Sequence, residues 1–384
     1  MLSSSALKQD IRRRIGKVQS IMKDRGIGAL LLPARGAPGM MGVARYFTNL
    51  QLWAGKAWAI VGSGESEAAL VLESSYEAEW NRQAAATSWI ECPEADALGK
   101  AIEIAGDLSR NDKKIGLVHP KKNWIYGDWM RLQSELIEGE RDVVDLSSEI
   151  DELRSVKSSF EVEEIYRTGC VLTAAMERFS EAASPGVRCW EAAAAAEQVI
   201  QSRGGLQGRA KFSFNSRPET IPAPLDKRFS EDDIFVFEMV YPGPYGYWCE
   251  MSLLFSFKDL PEEQERQLRA HEKVIQACSS AMKTGARIGR MHAVAAEMWR
   301  EQGYEVIGSH TPNCHSIGLD GNDGPSSLTS PDAVLKSNMV LSFHPSTLLK
   351  GERAYLLSDN FLVTPEGSLP LSPRQWNYRK IGQP

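Results

Sequence analysis

Histidine is scarce in this chain, with six among 384 residues. A long apolar run is missing altogether, so no segment reads as a membrane span. The N-terminal stretch MLSSSALKQDIRRRIGKVQSIMKDRGIG mixes basic and apolar residues at helical spacing, where a signal peptide would carry a continuous apolar segment. Net charge is -6, and the lysines and arginines are scattered, which removes the electrostatic footprint of a nucleic-acid-binding protein. The six cysteines, at 92, 170, 189, 249, 278 and 314, form no C-x-x-C pair. That spacing argues against a disulfide framework and for a reducing, cytoplasmic setting. GSGESE looks at first like a phosphate loop, but it lacks the closing Lys-Ser/Thr and lies between two short strands, so it reads as a hairpin turn. No internal repeat is visible.

What is present is an ordinary globular composition, 42% hydrophobic and 24% charged, in a chain too long for one core. Two domains are expected, 1–150 and 151–384. In the first, a helix at roughly 5 to 25 precedes the strand IGALLLP. Strands follow near AWAIVG, AALVLE, SWIEC and KIGLVH, with helices near ADALGKAIEIAGDL and NWIYGDWMRLQSELI. In the second, DELRSVKSSFEVEEIYRTGCVLTAAMERFSEAA is amphipathic at helical spacing, with an N-cap signal at Ser158 and Ser159. The Ala-rich CWEAAAAAEQVIQSRGG gives another helix, and KFSFN a strand. Two more helices, about 260 to 284 and 289 to 302, precede SHTPNCHSIGLDGNDGP and the strand-like MVLSFHPS and AYLLSDNFLVT.

The stretch IFVFEMVYPGPYGYWCEMSLL, residues 234–254, places one Glu in each arm of an apolar hairpin. With the turn centred near Pro244, Glu238 and Glu250 lie opposite one another on one face. Two carboxylates at that distance repel, so a metal, a shared proton or solvent must compensate. His271 and His292 fall in helical stretches and His119 follows a strand, where a surface or hydrogen-bonded structural place is expected. His315 differs, lying in the small-residue turn CHSIG, and His344 ends an apolar strand before a proline. Together with Glu238 and Glu250 they make a ligand set suited to Zn, Mn or Fe. Tyr241, Tyr245, Tyr247 and Trp248 either line a pocket for a ring or a cationic group or pack.

The stretches LRSVKSSFEVEEIYRTGCVLTAAM, SPGVRCWE, GYWCEMS, CHSIGL and SDNFLVTPEG, in that order, resemble the creatinase, prolidase and aminopeptidase P family, and RYFTNL extends the likeness into the N-terminal part. The resemblance implies a two-domain α/β protein: a smaller N-terminal creatinase-like domain, then a C-terminal pita-bread domain. It also implies a homodimer whose active site is lined in part by the partner's N-terminal domain. Metallopeptidases of this family hold two metal ions with two Asp, one His and two Glu. Carried over by position, the Asp pair falls on Glu238 and Glu250, the His on His315, the first Glu on His344 and the second on Ser358, with Asp359 beside it. The interval between the first two is one residue longer than the usual pattern. NSRPETIPAPL carries no histidine where the family places a catalytic one, and the TRT after the second Asp has become SLL.

A serine at the place of a bridging carboxylate removes the charge that lets two dications sit together. The expectation is therefore one divalent metal ion, Fe, Mn or Zn, held by Glu238, Glu250, His315 and His344, or none at all, as in creatinase. Without metal, one carboxylate of the Glu pair would have a raised pKa and act as general acid or base. The leading expectation is a creatinase-like enzyme that hydrolyses a C–N bond in a small non-peptide substrate, with Glu238, Glu250, His315 and Asp359 as its catalytic set. The competing readings are a mononuclear-metal lyase or oxidative enzyme, a catalytically inactive binding protein, and an Xaa-Pro peptidase.

Overall fold

The chain forms two units, Met1–Arg154 and Ser155–Pro384. The structure, a computed structural model, describes residues 4–381 apart from 113, 215–225, 310–313, 325–329, 346, 351, 354, 356 and 375.

In the first unit, apolar segments rich in Leu, Ile, Val and Ala become six strands: β1 Ala29–Arg35, β2 Lys56–Gly62, β3 Ala69–Leu72, β4 Ile90–Glu91, β5 Lys114–Leu117 and β6 Asp142–Asp145. They form one sheet in the order β4-β3-β2-β1-β5-β6. β2 and β3 run antiparallel, so GSGESE is a hairpin turn. Helix α1, Ser5–Arg25, starts at Ser4, whose hydroxyl accepts from Leu7 N, and stops at Gly26 with φ 63°, the left-handed conformation that glycine adopts without strain. Its buried stripe is Leu7, Ile11, Ile15, Val18 and Met22, the spacing of one helix face. The remaining helices are α2 Gly42–Thr48, α3 Ser75–Ala84, α4 Ala97–Leu108, α5 Pro120–Asn123, α6 Tyr126–Glu138 and α7 Ser147–Ser155. α7 runs across residues 150 and 151.

The second unit opens with α8, Ser159–Ala182. The amphipathic stretch beginning at Asp151 is therefore two helices, separated where Ser158 caps α8: its hydroxyl accepts from Glu161 N while the Glu161 carboxylate accepts from Ser158 N, a reciprocal capping box. α9 Cys189–Ser202, α10 Glu262–Ala281 and α11 Ile288–Glu301 are the other helices among the described residues. The strands are β7 Arg209–Ser213, β8 Ile234–Pro242, β9 Trp248–Ser256, β10 Val306–Ser309, β11 Cys314–Ser316, β12 Val340–Phe343, β13 Thr347–Leu349, β14 Glu352–Arg353, β15 Asp359–Val363, β16 Ser368–Pro370 and β17 Tyr378–Lys380. Two four-stranded sheets, β17-β9-β8-β7 and β11-β12-β15-β16, accompany a small β10-β13-β14 sheet.

The period of two along a strand sorts the central hairpin into faces. Phe235, Phe237, Met239 and Tyr241 of β8, with Cys249, Met251, Leu253 and Phe255 of β9, enter one core with Phe179 of α8 and Phe212 of β7. Phe179 stacks on Phe237 with centroids 3.9 Å apart. The opposite face carries Glu238, Glu250 and Ser252, so neither carboxylate is spent on the aromatic core. Among the described residues, no helix is long and apolar enough to cross a membrane.

Candidate metal centre

The β8–β9 register pairs Glu238 with Ser252 and Val240 with Glu250. The hairpin thus centres on Tyr245, not on Pro244, and the two glutamates are diagonal neighbours on one face. The turn causes the shift: Gly243 N donates to Tyr247 O, Gly246 N donates to Gly243 O, and Gly246 takes φ 83°. Glu238 and Glu250 remain close enough to act on each other's charge. Burial above all, and then the charge of Glu250, push Glu238 up to about 8, against the pull of Lys211. Glu250 moves the other way. Burial opposes its charge, but the hydrogen bond from His315, the nearby His344 and the contact with Glu238 together hold it below the usual carboxylate range.

Lys211 is the residue that sequence reasoning missed. It stands directly across from Glu238 in the β7–β8 ladder, and its Nζ lies 2.6 Å from Glu238 Oε2. One signal was available: in KFSFN the flanking Phe residues alternate with Lys211 and Ser213, so a strand with an aromatic core face points its lysine to the face that holds the glutamates.

His315 comes from β11 and His344 directly follows β12. His315 Nε2 is 3.4 Å from Glu250 Oε2, its Nδ1 is 3.1 Å from Ser316 O, and the two imidazole rings are 5.2 Å apart. Burial disfavours the charge on His315, but the Glu250 contact overrides it and raises its pKa, whereas burial lowers that of His344. The loop after β11 is fixed from beneath. Asp323 accepts from Leu319 N and faces buried Lys157 at 3.4 Å. A Cβ on Gly318 would fall 1.8 Å from an Asp323 carboxylate oxygen, so a larger residue there would push that carboxylate away from Leu319 N. Trp248 N, at the start of β9, donates to Gly318 O at 2.7 Å and ties the hairpin to the same loop.

Glu250, His315 and His344 each offer one donor atom within 4.8 Å of the others. Two imidazoles and one carboxylate form the ligand set of a catalytic metal site that keeps a position open. His344 Nδ1 is buried and makes no hydrogen bond to another described residue, as a ligand nitrogen awaiting an ion would. The donors present therefore fit one divalent ion. Glu238 is not in that group, being engaged by Lys211. Ser358 accepts a hydrogen bond from the Ser252 hydroxyl at 2.9 Å. Asp359 accepts from Ser372 Oγ at 2.8 Å and faces Arg374 Nη2 at 3.3 Å, while Asn360 Nδ2 donates to Glu250 O at 2.7 Å. Of the hairpin aromatics, Tyr241 packs in the core and its hydroxyl bonds Glu197. Tyr245 and Tyr247 pack against Phe160. The segment NSRPETIPAPL lies outside the described residues.

The family profiles agree with this geometry. Residues 14–156 match the creatinase/prolidase N-terminal domain, and residues 163–365, more than half the chain, match metallopeptidase family M24. The chain belongs to metallopeptidase family M24. Its two-domain α/β architecture, with a C-terminal pita-bread domain, follows, and membership supports hydrolytic catalysis in general. The Xaa-Pro dipeptidase of Pyrococcus furiosus is 23% identical over 231 residues, 58% of this chain and 64% of that protein, so the match spans less than two thirds of that relative. Two solved structures are similar over nearly their whole length. The X-Pro aminopeptidase of Thermotoga maritima has a TM-score of 0.79 at 19% identity, covering 95% of this chain and 99% of that one. The Xaa-Pro dipeptidase of Bacillus anthracis has 0.76 at 18%, covering 96% and 100%. Identities this low establish the fold alone. The expectation of a small non-peptide substrate is overturned by the names of the curated relative and the solved neighbours taken together, which are Xaa-Pro dipeptidases and an X-Pro aminopeptidase. The altered ligand positions had suggested a departure from peptides, but a change in metal complement does not by itself change the bond that is cut.

Proposed function

We propose that the protein is a single-metal amide hydrolase of family M24 acting on peptides of the Xaa-Pro type. The observation that carries this reading is the convergence of Glu250, His315 and His344 into a two-imidazole, one-carboxylate site. A divalent ion held there would supply Lewis acidity toward a peptide carbonyl. Glu238, buried beside the site and next to Glu250, is placed to accept and return a proton, and His315 orients Glu250. Asp359 acts as a positioning residue: it holds Ser372 and Arg374, and the adjacent Asn360 fixes the Glu250 backbone. A homodimer and a cytoplasmic location belong to the same reading. The latter is supported by six cysteines that are all free.

The test is hydrolysis of Xaa-Pro dipeptides and of longer peptides with proline second, by protein stripped with chelator and reloaded with Mn, Zn or Fe(II). Cleavage is expected with at least one ion. H344A and E250Q, folded as judged by circular dichroism, should lose roughly a hundredfold or more in kcat/KM, the scale of removing a metal ligand or its support. Absence of cleavage by folded, metal-loaded protein across the peptide set would overturn the proposal.

A further inference from the structure

Lys211 has no counterpart among the ligands that the family resemblance assigns, yet its ammonium lies against one of the two carboxylates at the centre. The contact is built into the fold. Lys211 and Glu238 are paired across neighbouring strands, with Phe212 anchored in the aromatic core on the other face, so the lysine has little choice of direction. Glu238 is 2% exposed and Lys211 27%, which gives the ammonium a solvent-facing side and a carboxylate-facing side.

The balance of charge explains what such a lysine does. Glu238 and Glu250, both ionised, together with Lys211, carry a net charge of minus one. One dication brings the cluster to plus one, while a second would bring it to plus three among buried ligands, with Ser358 contributing no charge. Uncompensated charge of that size is strongly disfavoured away from water. The carboxylate that a second ion would need is, moreover, already bound at 2.6 Å. We infer that the Lys211 ammonium stands in the place of a second cation, neutralising Glu238 and limiting the centre to a single divalent ion. This inference rests on the single-metal reading above. It identifies the compensation that the two neighbouring glutamates require: a fixed side-chain cation on one carboxylate, and an exchangeable ion on the other.

The experiment is calorimetric titration of the chelator-stripped full chain with Mn²⁺, together with metal analysis after dialysis, for wild type, K211Q and K211R. Gln retains a hydrogen-bond donor to Glu238 without the charge, and Arg retains the charge. K211Q is expected to bind Mn²⁺ roughly tenfold more tightly, or to take up a second equivalent, because a repelling cation is gone and Glu238 is released. K211R should titrate like wild type. K211M, equally without charge, decides the matter if K211Q does not fold. Charge-free variants that match wild type, or bind more weakly, overturn the role of Lys211 whatever the wild-type count. The wild-type count separately judges the single-metal reading: near one equivalent supports it and near zero sinks it. Uptake by K211Q but not by wild type would overturn that reading and the limit of one, and would show that the lysine excludes the first ion instead of a second.

Discussion

His271 shows how far a single residue can escape a sequence pattern. Its place in an amphipathic helix suggests an exposed or hydrogen-bonded imidazole. Instead it is fully buried in α10, its ring 5.8 Å from that of Trp299, and both ring nitrogens lack a hydrogen-bond partner among the described residues. Burial, and secondarily the charge of Arg374, lower its pKa to about 3. A base whose folded pKa lies below its unfolded value of ~6.5 stabilises the fold fully only above ~6.5. As pH falls from there toward 3, the unfolded chain binds the proton first, and stability is lost at about 1.4 kcal/mol per pH unit from this group. H271L removes the titration and an unsatisfied polar group, so it should match or exceed wild-type stability at pH 7. Its unfolding free energy should also fall less steeply between pH 6.5 and 4.5. Equal slopes for the two proteins in denaturant titrations would show that His271 is not the acid-sensitive group. Periodicity located this residue on a face, but what the packed elements offer that face is a tertiary fact. The same limit hid Lys211. A lysine in a strand reads as a solvated side chain until the register sets it across from Glu238. Glu250, His315 and His344 were legible because their residue types stand out where they occur.

Among the elements, helix starts were the most legible, because capping is local chemistry. Ser158 was marked by the acidic residues that follow it, and the structure makes it one half of a capping box whose Ser and Glu are both buried. Loss of the hydroxyl leaves an α8 backbone N–H without its acceptor, so S158A should cost about 1–2 kcal/mol, toward the upper part of the range for caps. S158T should recover most of it. A loss under ~0.3 kcal/mol in urea unfolding would mean that water or another group caps the helix equally well. The hairpin register was less legible. A turn written Pro-Gly-Pro-Tyr-Gly offers several centres, and only the left-handed Gly246 selects Tyr245. The shift moved Glu250 from opposite Glu238 to the diagonal. Both remained on one face, since residues two apart share a face, and so the juxtaposition of the two carboxylates survived an error in geometry.

Two-domain organisation was readable from chain length and from the change of pattern near residue 150, because a single hydrophobic core does not grow to fill such a chain. What the length could not show is how separately the cores are built. One buried cluster draws only on residues between Ala29 and Leu136, while the aromatic core and its neighbour draw on Ala270, Leu172 and residues beyond them in the second unit. All three donors of the candidate centre also belong to the second unit. Differential scanning calorimetry should therefore resolve two transitions, and a divalent ion should move one of them. At about 100 times its Kd, an ion that binds only the folded state stabilises by ~2.7 kcal/mol. For a unit of this size, each kcal/mol raises Tm by roughly 2–4 °C, so Mn²⁺ is expected to shift that transition upward by about 5–10 °C. The other transition should stay where it is, and H344A should abolish the shift. A shift of both transitions by the same amount would show that the two units unfold together, and a shift retained in H344A would place the ion elsewhere on the chain.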